Sequence, residues 1–224
     1  WSIEIYIMSL IIVTLLYAEF TNYLGHEVVR NFFTGKYHKP RIEDQLFMFL
    51  DMRSSTSIAE ELGHERYFEM LREYYDDLSD PIVEQSGLIY QYVGDEIVIT
   101  WNINNNTSVD ACIACFEQMK EIMESKKGKY LDKYGLVPSF KAGIHRGMVT
   151  TGEIGKIKKD ITFTGDVLNT AARIQGLCNS YQSDLLLSKE TFEKLSAEIK
   201  KEFISIGQVE LRGKHEKVEI YKQQ

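Results

Sequence analysis

The sequence predicts an α+β protein: a ferredoxin-like βαββαβ core with extra C-terminal strands and helices, preceded by an apolar N-terminal helix. Three observations lead there. Ile5–Ala18 (IYIMSLIIVTLLYA) is an uncharged stretch between Glu4 and Glu19. From residue 45 onward, short apolar runs and helical spacing follow one another as strand, helix, strand, strand, helix, strand, the order of a split βαβ arrangement. The composition, 44% hydrophobic and 26% charged over 224 residues, is that of a folded chain with one large domain and an appendage.

Each element has its own signal. Gln45–Leu50 is a continuous apolar run ending at Asp51, the pattern of a buried strand. Ser57 and Glu60 have capping-box spacing, and Ile58, Leu62, Phe68, Leu71, Tyr74 and Tyr75 follow at helical intervals. Leu88–Val93, the pair Gly94-Asp95 and Glu96–Trp101 read as a tight hairpin. Ser108 to Ser125 reads as a second helix. Ser139–Ile144 and Met148–Thr151 read as strands flanking a glycine-rich bend, Asp166–Cys178 as a third helix, and 208–211 and 217–221 as further strands. Three zones result: 1–24, an apolar helix; 25–44, a connector broken by Gly35 and Pro40; and 45–224, the globular domain. Asn104-Asn105-Asn106 reads as a polar loop.

Ile5–Ala18 is short of the roughly 20 apolar residues that cross a bilayer. The chain opens on Trp1 rather than Met, so it reads as a fragment, and the apolar run as the cut end of a longer span. Trp1, Tyr6, Tyr17 and Phe20 near its ends, and Arg30, Lys36, Lys39 and Arg41 beyond it, fit a membrane helix whose following domain is cytoplasmic. An apolar packing or dimerisation helix fits the same residues. A net charge of −7 gives no general attraction for nucleic acid, and three cysteines are too few for a disulfide framework. Cys112 and Cys115 lie within a helical pattern, where packing is their simplest role. Lys126, Lys127, Lys129 and Lys133 read as a solvated loop, His145 as structural, and His26, His38, His64 and His215 as scattered.

The topology brings chemistry together. The first strand ends at Asp51, and the hairpin turn carrying Asp95, 44 residues later, returns to the same sheet edge. Like charges held close call for a cation, and Mg²⁺ favours one or two carboxylates with phosphate oxygens. Arg53, Ser54, Ser55 and Thr56 lead into a helix N-terminus, whose free N–H groups can hold phosphate. Taken singly, Asp51 is also an ordinary strand-end residue and Asp95 an ordinary turn residue. Asn169 and Arg173, four apart, share a helix face and suit a charged phosphate, though such a pair is also common on surfaces.

Four segments resemble, in order and spacing, the class III adenylate/guanylate (nucleotidyl) cyclase catalytic domain, in its bacterial membrane-attached type. They are Phe49-Leu-Asp51-Met-Arg-Ser-Ser-Thr56, Tyr92-Val-Gly-Asp95-Glu96, Ala142-Gly-Ile-His-Arg-Gly147 and Gly165-Asp-Val-Leu-Asn169-Thr-Ala-Ala-Arg173. The resemblance spans about residues 45 to 221 and implies a head-to-tail homodimer with sites shared between chains. It implies that Asp51 and Asp95, with the Met52 backbone, hold two divalent cations, Mg²⁺ or Mn²⁺. The segment Arg53 to Thr56, with Lys141, Arg212 and Lys214, would bind phosphates. Asn169 would orient the ribose and Arg173 would stabilise charge at the α-phosphate, both from the opposite chain. The reaction implied is conversion of ATP to 3′,5′-cyclic AMP and pyrophosphate, at the cytoplasmic face of the inner membrane under an upstream sensor.

The base-reading positions are Gln91, where adenylate-forming relatives usually carry Lys, and Thr162, which matches a bacterial subgroup. Thr162 favours ATP, whereas a Gln amide both donates and accepts and so can also face guanine. A guanylate or dual-specificity cyclase therefore stays open, as does a non-catalytic nucleotide-sensing dimerisation module. A diguanylate cyclase shares the core and a Gly-Asp-Glu turn, but Val93 and Ile97 depart from its turn, and it leaves Asn169 and Arg173 unexplained.

Overall fold

The computed structural model describes residues 2–24, 34–103, 108–157, 159–214 and 216–224. Residues 25–33 of the connector, the Asn104–Asn106 loop and His215 lie outside the described residues. In chain order the elements are α1 (Ser2–Leu24), β1 (Arg41–Met52), α2 (Ser55–Leu62), α3 (His64–Glu84), β2 (Leu88–Val93), β3 (Glu96–Asn102), α4 (Asp110–Ser125), α5 (Lys127–Tyr134), β4 (Phe140–Ile154), β5 (Asp160–Thr164), α6 (Asp166–Gly176), β6 (Leu185–Ser188), α7 (Lys189–Phe192), β7 (Phe203–Val209) and β8 (Val218–Gln223). Two compact units form: Trp1–Ile42 with Thr150–Thr164, and Glu43–Val149 with Gly165–Gln224.

The larger unit has the expected α+β architecture. Its strands follow the order β2-β3-β1-β4-β6-β8-β7, so the βαββαβ core occupies one end and the C-terminal strands extend it. β1 explains why its apolar run is unbroken: both faces are covered. Leu46, Met48, Leu50 and Met52 point into a core with Met70, Tyr74, Leu78 and Ile82 of α3 and Cys112, Phe116 and Met119 of α4. The alternate residues Gln45, Phe47, Phe49 and Asp51 lie opposite Asn102, Thr100, Val98 and Glu96 of β3 on the second face. That second face also carries Gly143 of β4, against which α6 packs, while Ile174 of α6 joins Leu186, Leu211 and Ile220 in a separate cluster.

Several expected elements differ in detail. The helix after Asp51 starts at Ser55, not Ser57; Ser54 caps it in the left-handed region (φ 57°) with no side-chain cap bond. Gly63, at φ 74°, then breaks the expected single helix in two. The glycine-rich bend in β4 is absent, and one strand runs from Phe140 to Ile154. Its glycines serve close approach instead: a Cβ at Gly143 would stand 2.2 Å from the Gln175 nitrogen, and one at Gly147 2.9 Å from Val167. The final strands begin and end a few residues away from the expected 208–211 and 217–221.

The lysine patch is a helix rather than a solvated loop. α5 turns Tyr130 and Tyr134 into the core; Lys127 pairs with Glu124 of α4, and the other three lysines reach back to the acidic side of α3. Lys126 and Lys129 meet Asp77 at 2.5 and 3.3 Å, and Lys133 meets Glu73 and Glu69 at 2.5 and 2.7 Å. Cys112 and Cys115 are buried in α4 as packing residues, and burial pushes the Cys115 thiol up to about 12.

In the smaller unit β4 and β5 form a hairpin from Thr150↔Thr164 to Ile154↔Asp160, which sets Thr162 opposite Gly152. The Glu153 amide donates to the Tyr37 carbonyl at 3.1 Å. α1 is helical throughout, with its apolar side chains from Ile3 to Tyr17 exposed. Among the described residues no helix is long and apolar enough to cross a membrane, in keeping with the short uncharged run.

Candidate active site

Asp51 and Asp95 do meet. Asp51 ends the second face of β1 directly opposite Glu96, the first residue after the Gly94-Asp95 turn, so strand pairing alone sets the two aspartates side by side. Burial raises the Asp95 carboxyl, the Ser55 hydroxyl bonds it and lowers it, and the Asp51 charge and a hydrogen bond to Asp51 raise it again, for a net rise. Its Oδ2 is buried without a hydrogen-bond partner. Glu96 is pushed up to about 7 by burial and by the charges of Asp51 and Asp95. Tyr67, which bonds Ser55, is raised by burial and by Asp95. A concentration of negative charge thus stands at one sheet edge, incompletely neutralised.

The residues fit a divalent cation on the chemistry of their donors. The orphaned Asp95 oxygen is an acceptor with nothing to accept, which is costly unless a cation or proton fills the place. Among the described residues no three or more His, Cys, Asp or Glu side chains group to hold a metal. Two carboxylates completed by backbone, phosphate and water oxygens are the set that Mg²⁺ takes.

Two residues hold Asp51 from within. The Gln175 amide donates from Nε2 to Asp51 Oδ2 at 2.9 Å, and Lys141 Nζ lies 3.3 Å from the same oxygen. The sequence had placed Lys141 toward phosphate, and it had not singled out Gln175. A signal for Gln175 existed: it falls on the buried stripe of α6 with Val167, Thr170, Ala171 and Ile174, where a polar side chain needs a partner.

Arg53 is drawn away from its expected phosphate role. Its guanidinium donates to Asn179 Oδ1, the Ser183 carbonyl and Asp184 Oδ1 at 2.7–3.0 Å, and its amide to the Ser139 carbonyl at 2.8 Å. Ser54 and Thr56 are exposed beside it at the start of α2. The left-handed Ser54 backbone is strained for a residue with a Cβ, the kind of conformation that clusters at ligand clamps.

A second group gathers at the outer side of α6. Asn169 is exposed and Arg173 half-buried, with Arg173 Nη1 lacking a hydrogen-bond partner. Arg173 lies near Gly213, where a Cβ would stand 3.4 Å from Nη2. Lys214 Nζ meets Asp166 at 2.9 Å; burial raises Asp166, but the Lys214 hydrogen bond and charge outweigh it and lower the carboxyl overall. Arg212 is exposed next to them, and a cavity of about 570 Å³ opens beside Asp166, Gly213 and Lys214. His145 is structural, as expected: it pairs with Ser188 Oγ at 2.7 Å, and burial lowers it to about 4, so it is neutral at pH 7. Gln91 is exposed on β2 at a register shift, and Thr162 is half-buried on β5.

Comparison with known proteins matches residues 37–222 to the family described as the adenylate and guanylate cyclase catalytic domain. Adenylate cyclase 2 of Rhizobium meliloti is 34% identical over 88% of this chain and 54% of its own length. An adenylate cyclase of Anabaena cylindrica is 29% identical over 78% of this chain and 35% of its own. The chain therefore spans about half the length, or less, of these curated relatives. Among solved structures, a bacterial light-regulated adenylyl cyclase superposes with a TM-score of 0.80 at 18% identity, covering 100% of this chain and 65% of that one. The adenylyl cyclase CyaB from P. aeruginosa does so at 0.70 and 22% identity, covering 83% and 96%. At those identities the likeness is one of fold.

Proposed function

Because this chain belongs to the adenylate and guanylate cyclase catalytic domain family, we propose that it converts ATP to 3′,5′-cyclic AMP and pyrophosphate at a site shared between two copies. The observation that carries this reading is the Asp51–Asp95 pair, with its buried, unpartnered Asp95 oxygen. Mg²⁺ or Mn²⁺ held by Asp51, Asp95 and the Met52 carbonyl would supply charge neutralisation on the phosphates and a more acidic ribose 3′-hydroxyl.

The protein's own residues do the positioning. Free N–H groups at the start of α2, with the Ser54 and Thr56 hydroxyls, donate to phosphate oxygens, and Ser55 joins them on exchanging Asp95 for phosphate. Arg212 and Lys214 bind the triphosphate, Lys214 exchanging Asp166 for phosphate, and Lys141 adds positive charge at the carboxylate edge. Asn169 orients the ribose. Arg173, whose Nη1 has a donor to spare, stabilises the charge that develops on the α-phosphate. The 3′-oxygen attacks the α-phosphorus in line, its proton passes to solvent water, and the bond from the α-phosphorus to the pyrophosphate oxygen breaks; held geometry supplies much of the rate. In one chain the carboxylates and the outer face of α6 form separate groups, which supports a site completed by a second copy.

ATP is favoured by Thr162 and by the identity to adenylate cyclase 2. Gln91 keeps GTP as a second reading, because its exposed amide can serve either base. The deciding experiment is cyclic-nucleotide formation from ATP and GTP in parallel, in Mg²⁺ and in Mn²⁺, beside an Asp51→Asn control. Cyclic AMP that disappears in the control supports the proposal; cyclic GMP alone moves it to a guanylate cyclase. No product in a dimeric sample moves it to a nucleotide-sensing module. We propose further that the domain works at the cytoplasmic face of a membrane under an upstream sensor; the exposed apolar side chains of α1 support the membrane attachment, and co-sedimentation with vesicles tests it.

A further inference from the structure

We propose that Gln175 is a positioning residue for Asp51, and that through it α6 is tied to the cation site of its own chain. This deepens the cyclase reading and rests on it. Gln175 is only 7% exposed, so its amide has little water to compete for it. A buried amide left without a partner is costly, and here the partner is the carboxylate that faces Asp95. Nε2 at 2.9 Å and Lys141 Nζ at 3.3 Å both fall on Oδ2. The hydrogen bond from Gln175 and the ion pair with Lys141 both bear on that oxygen and restrict the carboxylate's rotamer.

The close approach that makes this possible is written into Gly143. A Cβ there would stand 2.2 Å from the Gln175 nitrogen and 2.6 Å from both the Ala171 carbonyl oxygen and Gln175 Cα. These are backbone atoms, so no rotamer change relieves the clash. α6 therefore lies directly on β4, the strand next to β1, and a glutamine side chain spans the remaining distance to Asp51.

Gln175 also joins two tasks. Residues two apart are about 200° apart around an α-helix, so Gln175 and Arg173 leave α6 on opposite sides. The inner side holds this chain's own carboxylate. The outer side carries Asn169 and Arg173, the residues assigned to the other chain's substrate. One helix thus contacts this chain's own carboxylate on its inner side and presents Asn169 and Arg173 on its outer side.

The test uses the whole dimeric protein. Gln175→Met conserves volume while removing the amide; Gln175→Asn keeps an amide that is one methylene too short, and reports if the first variant folds poorly. Free Mn²⁺ is followed by electron paramagnetic resonance during titration, with 3′-deoxy-ATP and 3′-deoxy-GTP as nucleotides lacking the reacting hydroxyl. Both variants are expected to bind Mn²⁺ about tenfold more weakly, the usual scale for losing a ligand's orienting partner. Their turnover is expected to recover as Mn²⁺ is raised. Wild-type Mn²⁺ affinity in either folded variant overturns the proposal, and so does turnover depressed equally at every Mn²⁺ concentration. A wild-type protein that binds Mn²⁺ but forms no cyclic product overturns the cyclase reading alone, since the affinity shift is read without turnover.

Discussion

Two acidic clusters sit in the larger unit, and they are solved in opposite ways. On α3, Glu69, Glu73 and Asp77 face Lys126, just before α5, and Lys129 and Lys133 along it. Lys133 and Lys129 draw Glu73 down to about 2, and at Asp77 burial is outweighed by hydrogen bonds from Lys126, Tyr130 and Lys129. At the sheet edge, Asp51, Asp95 and Glu96 have, among the described residues, one lysine, Lys141, and its contact is to Asp51. Asp95 and Glu96 are both raised, first by burial and then by their neighbours' charges. A cluster neutralised from within is finished as structure. One left short of positive charge is poised to take it from outside.

The largest expected effect separates the clusters by activity. Asp51→Asn or Asp95→Asn should abolish cyclic-nucleotide formation, while Asp77→Asn should leave turnover near wild type in whatever fraction stays folded. Assay of the three proteins side by side, with circular dichroism to confirm folding, breaks the comparison if Asp77→Asn is the inactive one. Next in size is Arg173→Ala. Loss of one preorganised charge-stabilising donor costs on the order of 10²–10³ in rate, and wild-type kcat in this variant would remove Arg173 from the mechanism.

The sheet-edge cluster was legible in the sequence because it follows from local grammar. An apolar run ends at Asp51, a tight turn carries Asp95, and the strand order sets both at one edge. The paired cluster was not legible, since α5 buries only Tyr130 and Tyr134 while its other apolar residue, Leu131, is exposed, and the lysines find their acids some 50 to 65 residues away on α3. Gln175 was missed for the same kind of reason: its contact with Asp51 spans 124 positions and depends on how closely α6 lies on Gly143. The four residues of β6 are too few to display a period. Spacing within a segment reports which face a residue occupies. It does not report which distant segment will meet that face.

The clusters should also respond to pH with opposite sign. Glu96 has a folded value raised from 4.5 to about 7, so the folded protein binds more protons than the unfolded chain between those values. Its stabilising contribution is fully present below about 4.5 and is lost as pH rises through 7. The metal-free protein should therefore lose Tm between pH 5 and 8, by roughly 3–6 °C for ~1–2 kcal/mol in a chain of this size. Glu96→Gln should flatten the slope. Mg²⁺ should raise Tm more at pH 8 than at pH 5.5, because proton and cation compete for the same cluster. A Tm independent of pH and of Mg²⁺ would show that the edge carries no excess charge.

The smallest effect belongs to the neutralised cluster, and it runs the other way. Glu73 is lowered from 4.5 to about 2, so its contribution is present above about 4.5 and is lost as pH falls through 2. The lysines that hold it are two-fifths exposed, and water and salt screen such pairs to about 1 kcal/mol or less. Glu73→Gln should accordingly lower Tm at pH 7 by no more than about 2–4 °C, shrink further in high salt, and have no effect near pH 2. Tm of the variant and the wild type, measured across that range with and without salt, checks all three. If Glu73→Gln were instead stabilising at neutral pH, α5 would be held by Tyr130, Tyr134 and their burial alone, and the contrast between the clusters would rest on the sheet edge only.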